Sequence, residues 1–211
     1  EKLYKKIRAR IEKLVVGNAL DKGIDIGAIV APVQLAQIEK LVAQGVSEGG
    51  QLWQPSWACP KDGYFYPPTL FTGIAPSATL AQVEIFGPVL VAMTFRSHGE
   101  AIKLANNTRY GLAASIWTEN INLALDVAPK VKAGSVWINC TNQFDAASGF
   151  GGYRESGFGR EGGKEGLYEY LKPKSEALLS SIAPKAPKVQ KKSGSILPVI
   201  DRTAKLFIGG K

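Results

Sequence analysis

VLVAMTFRSHGEAIKLANNTRYGLAASIWTENINLALDVAPKVKAGSVWINC, residues 89–140, changes character four times along its length. VLVAMTF (89–95) is an uninterrupted apolar run, which predicts a strand buried on both faces. GEAIKLANN (99–107) has helical spacing, LAASIWT (112–118) reads as a second strand, INLALDVAPKV (121–131) as a second helix and GSVWINC (134–140) as a third strand. Strand, helix, strand, helix, strand with short joins is the pattern of right-handed crossovers, so an α/β fold with a parallel-type sheet flanked by helices is expected. Functional groups in such sheets gather beyond the C-terminal ends of the strands. That directs attention to the long, glycine-dense loop TNQFDAASGFGGYRESGFGREGG (141–163).

Outward from this block, Leu3, Ile7, Ile11 and Leu14 give EKLYKKIRARIEKLV (1–15) the spacing of an amphipathic helix, ended by Gly17-Asn18. A second helix opens at Pro32, carries Leu35, Ile38, Leu41 and Val42 on one side, and stops at Gly49-Gly50. Short extended pieces are expected at Tyr64–Tyr66 and Thr69–Phe71, and KEGLYEYLK (164–172) reads as a final short helix. Residues 173–197, rich in Pro and Lys, read as a basic linker or arm. PVIDRTAKLFIGGK (198–211) resumes β-like alternation.

The 211 residues are 45% apolar, enough for one substantial core. No stretch approaches the roughly 18–20 apolar residues of a membrane span, and EKLYKKIRAR is charged where a signal peptide needs an apolar run. Two cysteines outside any C-x-x-C pair and one histidine offer no metal framework, and a reducing, cytoplasmic home is the default. The net charge of +8 invites a nucleic-acid reading. Its location argues otherwise: residues 172–211 hold nine Lys/Arg against two Asp/Glu, whereas residues 1–171 hold seventeen against sixteen. A nearly balanced body supplies no basic stripe for groove binding.

VEIFGPV (83–89) sets a carboxylate and a ring beside a Gly-Pro break. Glu84 could accept the paired hydroxyls of a ribose, and Phe86 could face a planar cofactor. On pattern alone, a helix terminus with Glu84 solvated and Phe86 in the core is the commoner arrangement. The glycine loop has neither G-x-G-x-x-G opening a helix after the first strand nor GK[ST], so its glycines read as packing devices, with Arg154, Glu155, Arg160 and Glu161 available for ion pairs. Phe144, Phe150 and Phe158 either wall an apolar site or pack the loop. Cys59 precedes a proline, and Cys140 closes a strand, where a thiol is more often small core filler than nucleophile. His98 sits at a helix start with no partner in view, and no base stands beside either thiol.

VEIFGPV, ANNTRYGLAASIWT, GSVWINC and GFGGYRESGFGREGGKEGL, in this order and spacing, resemble the aldehyde dehydrogenase superfamily across roughly residues 1–172. The resemblance implies the C-terminal part of that family's catalytic domain, here incomplete. AKLFIGGK after a proline- and lysine-rich linker looks like the opening of a second such unit (198–211), which suggests the tandem family-16 type and an excised middle piece. By resemblance, Glu84 binds the nicotinamide-side ribose of NAD or NADP, and Phe86 lies against the nicotinamide. Phe144 and Phe150 line the aldehyde tunnel, and Cys140 is not the nucleophile. The family's nucleophilic cysteine, general base and dinucleotide-binding domain match positions before Glu1, so this chain alone is expected to be inactive. Implied for the parent are an NAD(P)-dependent oxidation of an aldehyde to a carboxylic acid and a homo-oligomeric assembly. The alternative from another class is a non-catalytic scaffold of the same fold, mediating protein association.

Overall fold

The computed structural model describes residues 1–172, 174 and 175. The chain divides into two units, Glu1–Tyr170 and Leu171–Lys211. Nearly all of the expected basic linker (173–197) and the whole of the expected second-unit opening (198–211) lie outside the described residues.

The first unit begins with α1 (Lys2–Ile11) and α2 (Pro32–Ser47). Helix α1 stops short of the expected Val15. The Trp57 indole Nε1–H donates to the Glu12 carbonyl (3.0 Å), the acceptor that another helical turn would need. Val16 instead forms a parallel bridge with Ile26. Helix α2 starts at the expected proline and buries Ile38, Leu41, Val42 and Gly45.

Strands β1 (Gln51–Trp53) and β2 (Thr69–Thr72) pair antiparallel, Leu52 opposite Phe71. Tyr64–Tyr66 forms no strand: the Tyr64 carbonyl is taken by the Ile29 N–H (2.6 Å), and Pro67-Pro68 removes two ladder donors. After the short α3 (Thr79–Gln82), β3 (Val89–Val91) runs parallel to β2, Leu70 opposite Leu90. Helix α4 (His98–Asn106), β4 (Ala113–Ile116), α5 (Ile121–Val127) and β5 (Ser135–Ile138) follow. β4 and β5 pair parallel, Ala114 opposite Val136. The glycine loop forms a two-residue ladder between β6 (Phe150–Gly151) and β7 (Arg160–Glu161), and α6 (Gly163–Tyr168) closes the unit.

The expected single parallel sheet is therefore found as two parallel pairs. β3 belongs with β1 and β2, while β4 and β5 stand apart. A crossover fixes the hand of a connection but not the adjacency of its strands. The expected double-sided burial of VLVAMTF also fails. Leu90 is 47% and Phe95 57% exposed, and only Val89–Val91 of the run forms the strand.

The core lies between α2 and β2, where Ile38, Leu41 and Val42 meet Tyr66, Phe71, Ile74, Leu80 and Ile85. Glu48, just past α2, accepts from the Thr79 N–H (2.8 Å) and hydroxyl (2.6 Å), anchoring α3. Those hydrogen bonds hold its carboxyl below the ordinary carboxylate range. No helix among the described residues is long and apolar enough to cross a membrane.

Gly45 shows how tight the α2 contact is: a Cβ there would stand 2.1 Å from Leu80 Cδ1. Gly→Ala inside a helix normally gains about 0.5–1 kcal/mol. Gly45→Ala is instead expected to lose about 1–3 kcal/mol through overpacking, lowering Tm by a few degrees in a circular-dichroism melt. A raised Tm would contradict this packing.

Candidate functional site

The VEIFGPV segment leaves α3 and passes over α2. Ile85 is buried in the core, so its neighbours Glu84 and Phe86 are left outside. Phe86 is 71% exposed, which overturns the core position expected of a plain helix terminus. Its φ of +56° is a left-handed conformation that costs a non-glycine residue about 1–2 kcal/mol. Gln34 of α2 offsets that cost, since its Nε2 donates to the carbonyls of Ile85 (2.9 Å) and Phe86 (3.2 Å). Gly87 lies so close to α2 that a Cβ would stand 2.5 Å from Ile38 Cδ1.

The Glu84 N–H donates to the Tyr110 hydroxyl (3.4 Å). Glu84 lines a cleft with Thr108, Tyr110, Lys132 and Glu155, and Glu155 pairs with Arg109 at 3.2 Å. Among the described residues the Glu84 carboxylate enters no ion pair. A free carboxylate can accept two hydroxyl hydrogens, and an exposed ring can meet a flat heterocycle. This donor set suits a ribose–pyridine group.

Phe144 and Phe150 lie in a second cavity, of about 730 Å³, shared with Trp137. That volume falls within the roughly 300–1,000 Å³ of small-molecule sites. Phe150 stacks on Trp137 (6.2 Å between ring centroids, 24°), and Phe144 meets both rings edge-on, at 5.7 and 4.9 Å. The Trp137 indole N–H is satisfied by the Gln143 carbonyl (3.0 Å). Phe158, 73% exposed, stays out of the cluster.

The structure thus brings Phe144 and Phe150 together but puts Glu84 in a different cleft. The aromatic cavity is lined by Gly134, Ser135, Val136 and Trp137, so it runs along β5 instead of sitting beyond its tip as expected. Glycine contacts allow this folding back: a Cβ on Gly134 would fall 1.6 Å from the Gly151 carbonyl oxygen.

The aldehyde dehydrogenase family matches residues 1–175. The chain belongs to that family. Aldehyde dehydrogenase, cytosolic 1, of Rattus norvegicus is 41% identical over 169 residues, which are 80% of this chain and 34% of that protein. The Agaricus bisporus aldehyde dehydrogenase is 37% identical over 175 residues, 83% of this chain and 35% of that one. The structure of betaine aldehyde dehydrogenase from Staphylococcus aureus in complex with NAD+ superposes with a TM-score of 0.76 at 37% identity, covering 81% of this chain and 35% of that one. The chain spans about a third of the length of the curated relatives it matches.

The two cysteines are Cys59 and Cys140. Both are free and half-buried, and among the described residues neither lies in a cluster of three or more His, Cys, Asp and Glu side chains. Burial raises the Cys59 pKa above the ordinary thiol value. Trp137, Tyr110 and Gln34 were not singled out by the sequence reading. Trp137 lay within the quoted strand GSVWINC, but only the folded-back loop brings the phenylalanines to it. Gln34 shows no local signal, because its partners are fifty residues away.

The raised pKa leaves a smaller thiolate fraction on Cys59 in the folded chain than in the unfolded one at every pH below the folded value, pH 7 included. Alkylation of Cys59 by iodoacetamide at pH 7 is therefore expected to be several-fold slower in the folded protein than in urea, measured by mass spectrometry. Equal rates would show that burial does not govern this thiol.

Proposed function

We propose that this chain is part of an NAD(P)-dependent aldehyde dehydrogenase that oxidises an aldehyde to a carboxylic acid. In this reading it supplies one wall of the nicotinamide site, through Glu84 and Phe86, and one wall of the aldehyde tunnel, through Phe144 and Phe150. The observation that carries the reading is the exposure of Phe86 on a left-handed backbone held by Gln34, next to an unpaired carboxylate. Strain retained at an exposed ring is uncommon unless the ring is used. Identity to relatives such as the NAD-dependent aldehyde dehydrogenase of Sinorhizobium meliloti (34%, TM-score 0.77) supports the same cofactor class.

A nicotinamide held there would supply an acceptor for the hydride that leaves the aldehyde-derived carbon. The residues of this chain bind and orient. Glu84 would take the ribose hydroxyls, and the Phe86 ring would restrict the nicotinamide plane. The Trp137–Phe144–Phe150 cluster would exclude water from the aldehyde's apolar end. Homo-oligomeric assembly and cytoplasmic residence belong to this reading, as does the tandem family-16 arrangement suggested by AKLFIGGK (204–211).

In the full protein that carries this chain, Glu84→Gln removes charge-assisted hydrogen bonds of about 1.5–3 kcal/mol. NAD Kd, read by quenching of protein fluorescence, is then expected to rise roughly ten- to a hundredfold. Phe150→Ala is expected to raise the aldehyde KM while NAD Kd stays within about twofold. The 211-residue chain alone should produce no reduced cofactor from aldehyde and NAD, because by resemblance Cys140 is not the nucleophile and burial raises the Cys59 pKa. Turnover by the isolated chain, or an unchanged Kd in Glu84→Gln, would overturn the corresponding part of the reading.

A further inference from the structure

We infer that Arg154 is a positioning residue that holds Glu84 in place through the turn between α4 and β4. This makes cofactor affinity depend on the glycine-rich loop that carries Phe150. The inference rests on the reading of Glu84 as a cofactor ligand.

Arg154 has a φ of +55°, which non-glycine residues adopt rarely. Among the described residues its guanidinium enters no ion pair, contrary to the role expected from sequence. Its Nη1 donates to the carbonyls of Asn106 (3.3 Å) and Thr108. Asn106 is the last residue of α4, where the helix dipole is negative and a cation is favoured.

The neighbours of Arg154 fasten the same turn. The Tyr153 N–H donates to the Gly111 carbonyl (3.0 Å), and the Glu155 N–H to the Arg109 carbonyl (3.1 Å). The Ser156 hydroxyl accepts from the Gly111 N–H (3.0 Å). Four consecutive loop residues, Tyr153 to Ser156, thus grip one side of residues 106–111.

The other side of that turn grips the Glu84 segment. Gln82 Nε2 donates to the Asn107 carbonyl (2.8 Å), Asn107 Nδ2 to the Pro76 carbonyl (3.3 Å), and the Glu84 N–H to the Tyr110 hydroxyl (3.4 Å). Phe150 and Gly151 form β6, three residues before Arg154 in the same loop. The turn is therefore the shared mount of both clefts, and the Arg154 guanidinium bonds it at two carbonyls.

The test compares Arg154→Gly and Arg154→Lys with wild type in the full protein that carries this chain. Glycine tolerates the positive φ, so it removes the guanidinium without adding strain. Amide hydrogen exchange at Glu84 and Gly111 is read first, then NAD Kd, then kcat at saturating NAD. Arg154→Gly is expected to speed exchange at both amides and to raise NAD Kd about tenfold, with kcat changed less than twofold. Lysine, which cannot span both carbonyls with a planar fork, should restore part of the affinity. Unchanged exchange at Glu84, or a Kd within twofold of wild type, overturns the inference. If Arg154→Gly loses protection at Leu70 and Phe71 in the core, Arg154→Lys carries the same criteria. An unaltered Kd in Glu84→Gln would instead remove the cofactor reading, while exchange at Glu84 still judges whether Arg154 positions that segment.

Discussion

Residues 106–111 fasten more of the first unit than any hydrophobic contact around the clefts. The Asn106 side chain donates to the Lys130 carbonyl (2.8 Å) and accepts from the Lys132 N–H (2.7 Å), tying the end of α4 to the approach to β5. The buried Gly111 carbonyl accepts from both the Gly134 and Tyr153 N–H groups (3.0 Å each). Helix α4 has no fully buried residue, so polar bonds at its end hold it where an apolar face does not. Buried backbone groups must be paired, and here the pairing also decides where the loop and the VEIFGPV segment lie.

Conformational strain follows the same map. Of the four non-glycine residues with left-handed φ among the described residues, Phe86, Asn139, Asn142 and Arg154, Arg154 adjoins Glu155 of the Glu84 cleft and Asn142 adjoins Gln143 of the aromatic cavity. Three of them are held by hydrogen bonds. Gln34 holds Phe86, Arg154 is held by its own guanidinium, and Asn139 exchanges two side-chain bonds of 2.9 Å with the Thr118 backbone. The core between α2 and β2 shows none of this. It is plain apolar packing, with Gly45 admitting Leu80. None of the strained positions belongs to the buried core.

Periodicity made much of the fold legible. Pro32 and Gly49-Gly50 bounded α2 because Pro suits a first turn and Gly49 takes the positive φ that ends it. The βαβ unit of β4, α5 and β5 was visible because period and short joins agree. The early end of α1 and the lost strand at Tyr64–Tyr66 were not visible. Each turned on one distant hydrogen bond, from Trp57 and from Ile29. Arg154 resembled an ion-pairing surface residue for the same reason: its carbonyl partners are more than forty positions away.

By itself the sequence determined the kinds of element, the motifs that mark an aldehyde dehydrogenase, and the placing of surplus positive charge in the tail, because propensity, spacing and charge are local quantities. Only the tertiary structure decided that the strands form two parallel pairs and that Phe86 faces outward. It also decided that Glu84 and the aromatic trio occupy separate clefts mounted on one turn. Those outcomes depend on which carbonyl a distant donor satisfies and on how closely two glycine backbones can approach, and neither is encoded within a window of neighbouring residues.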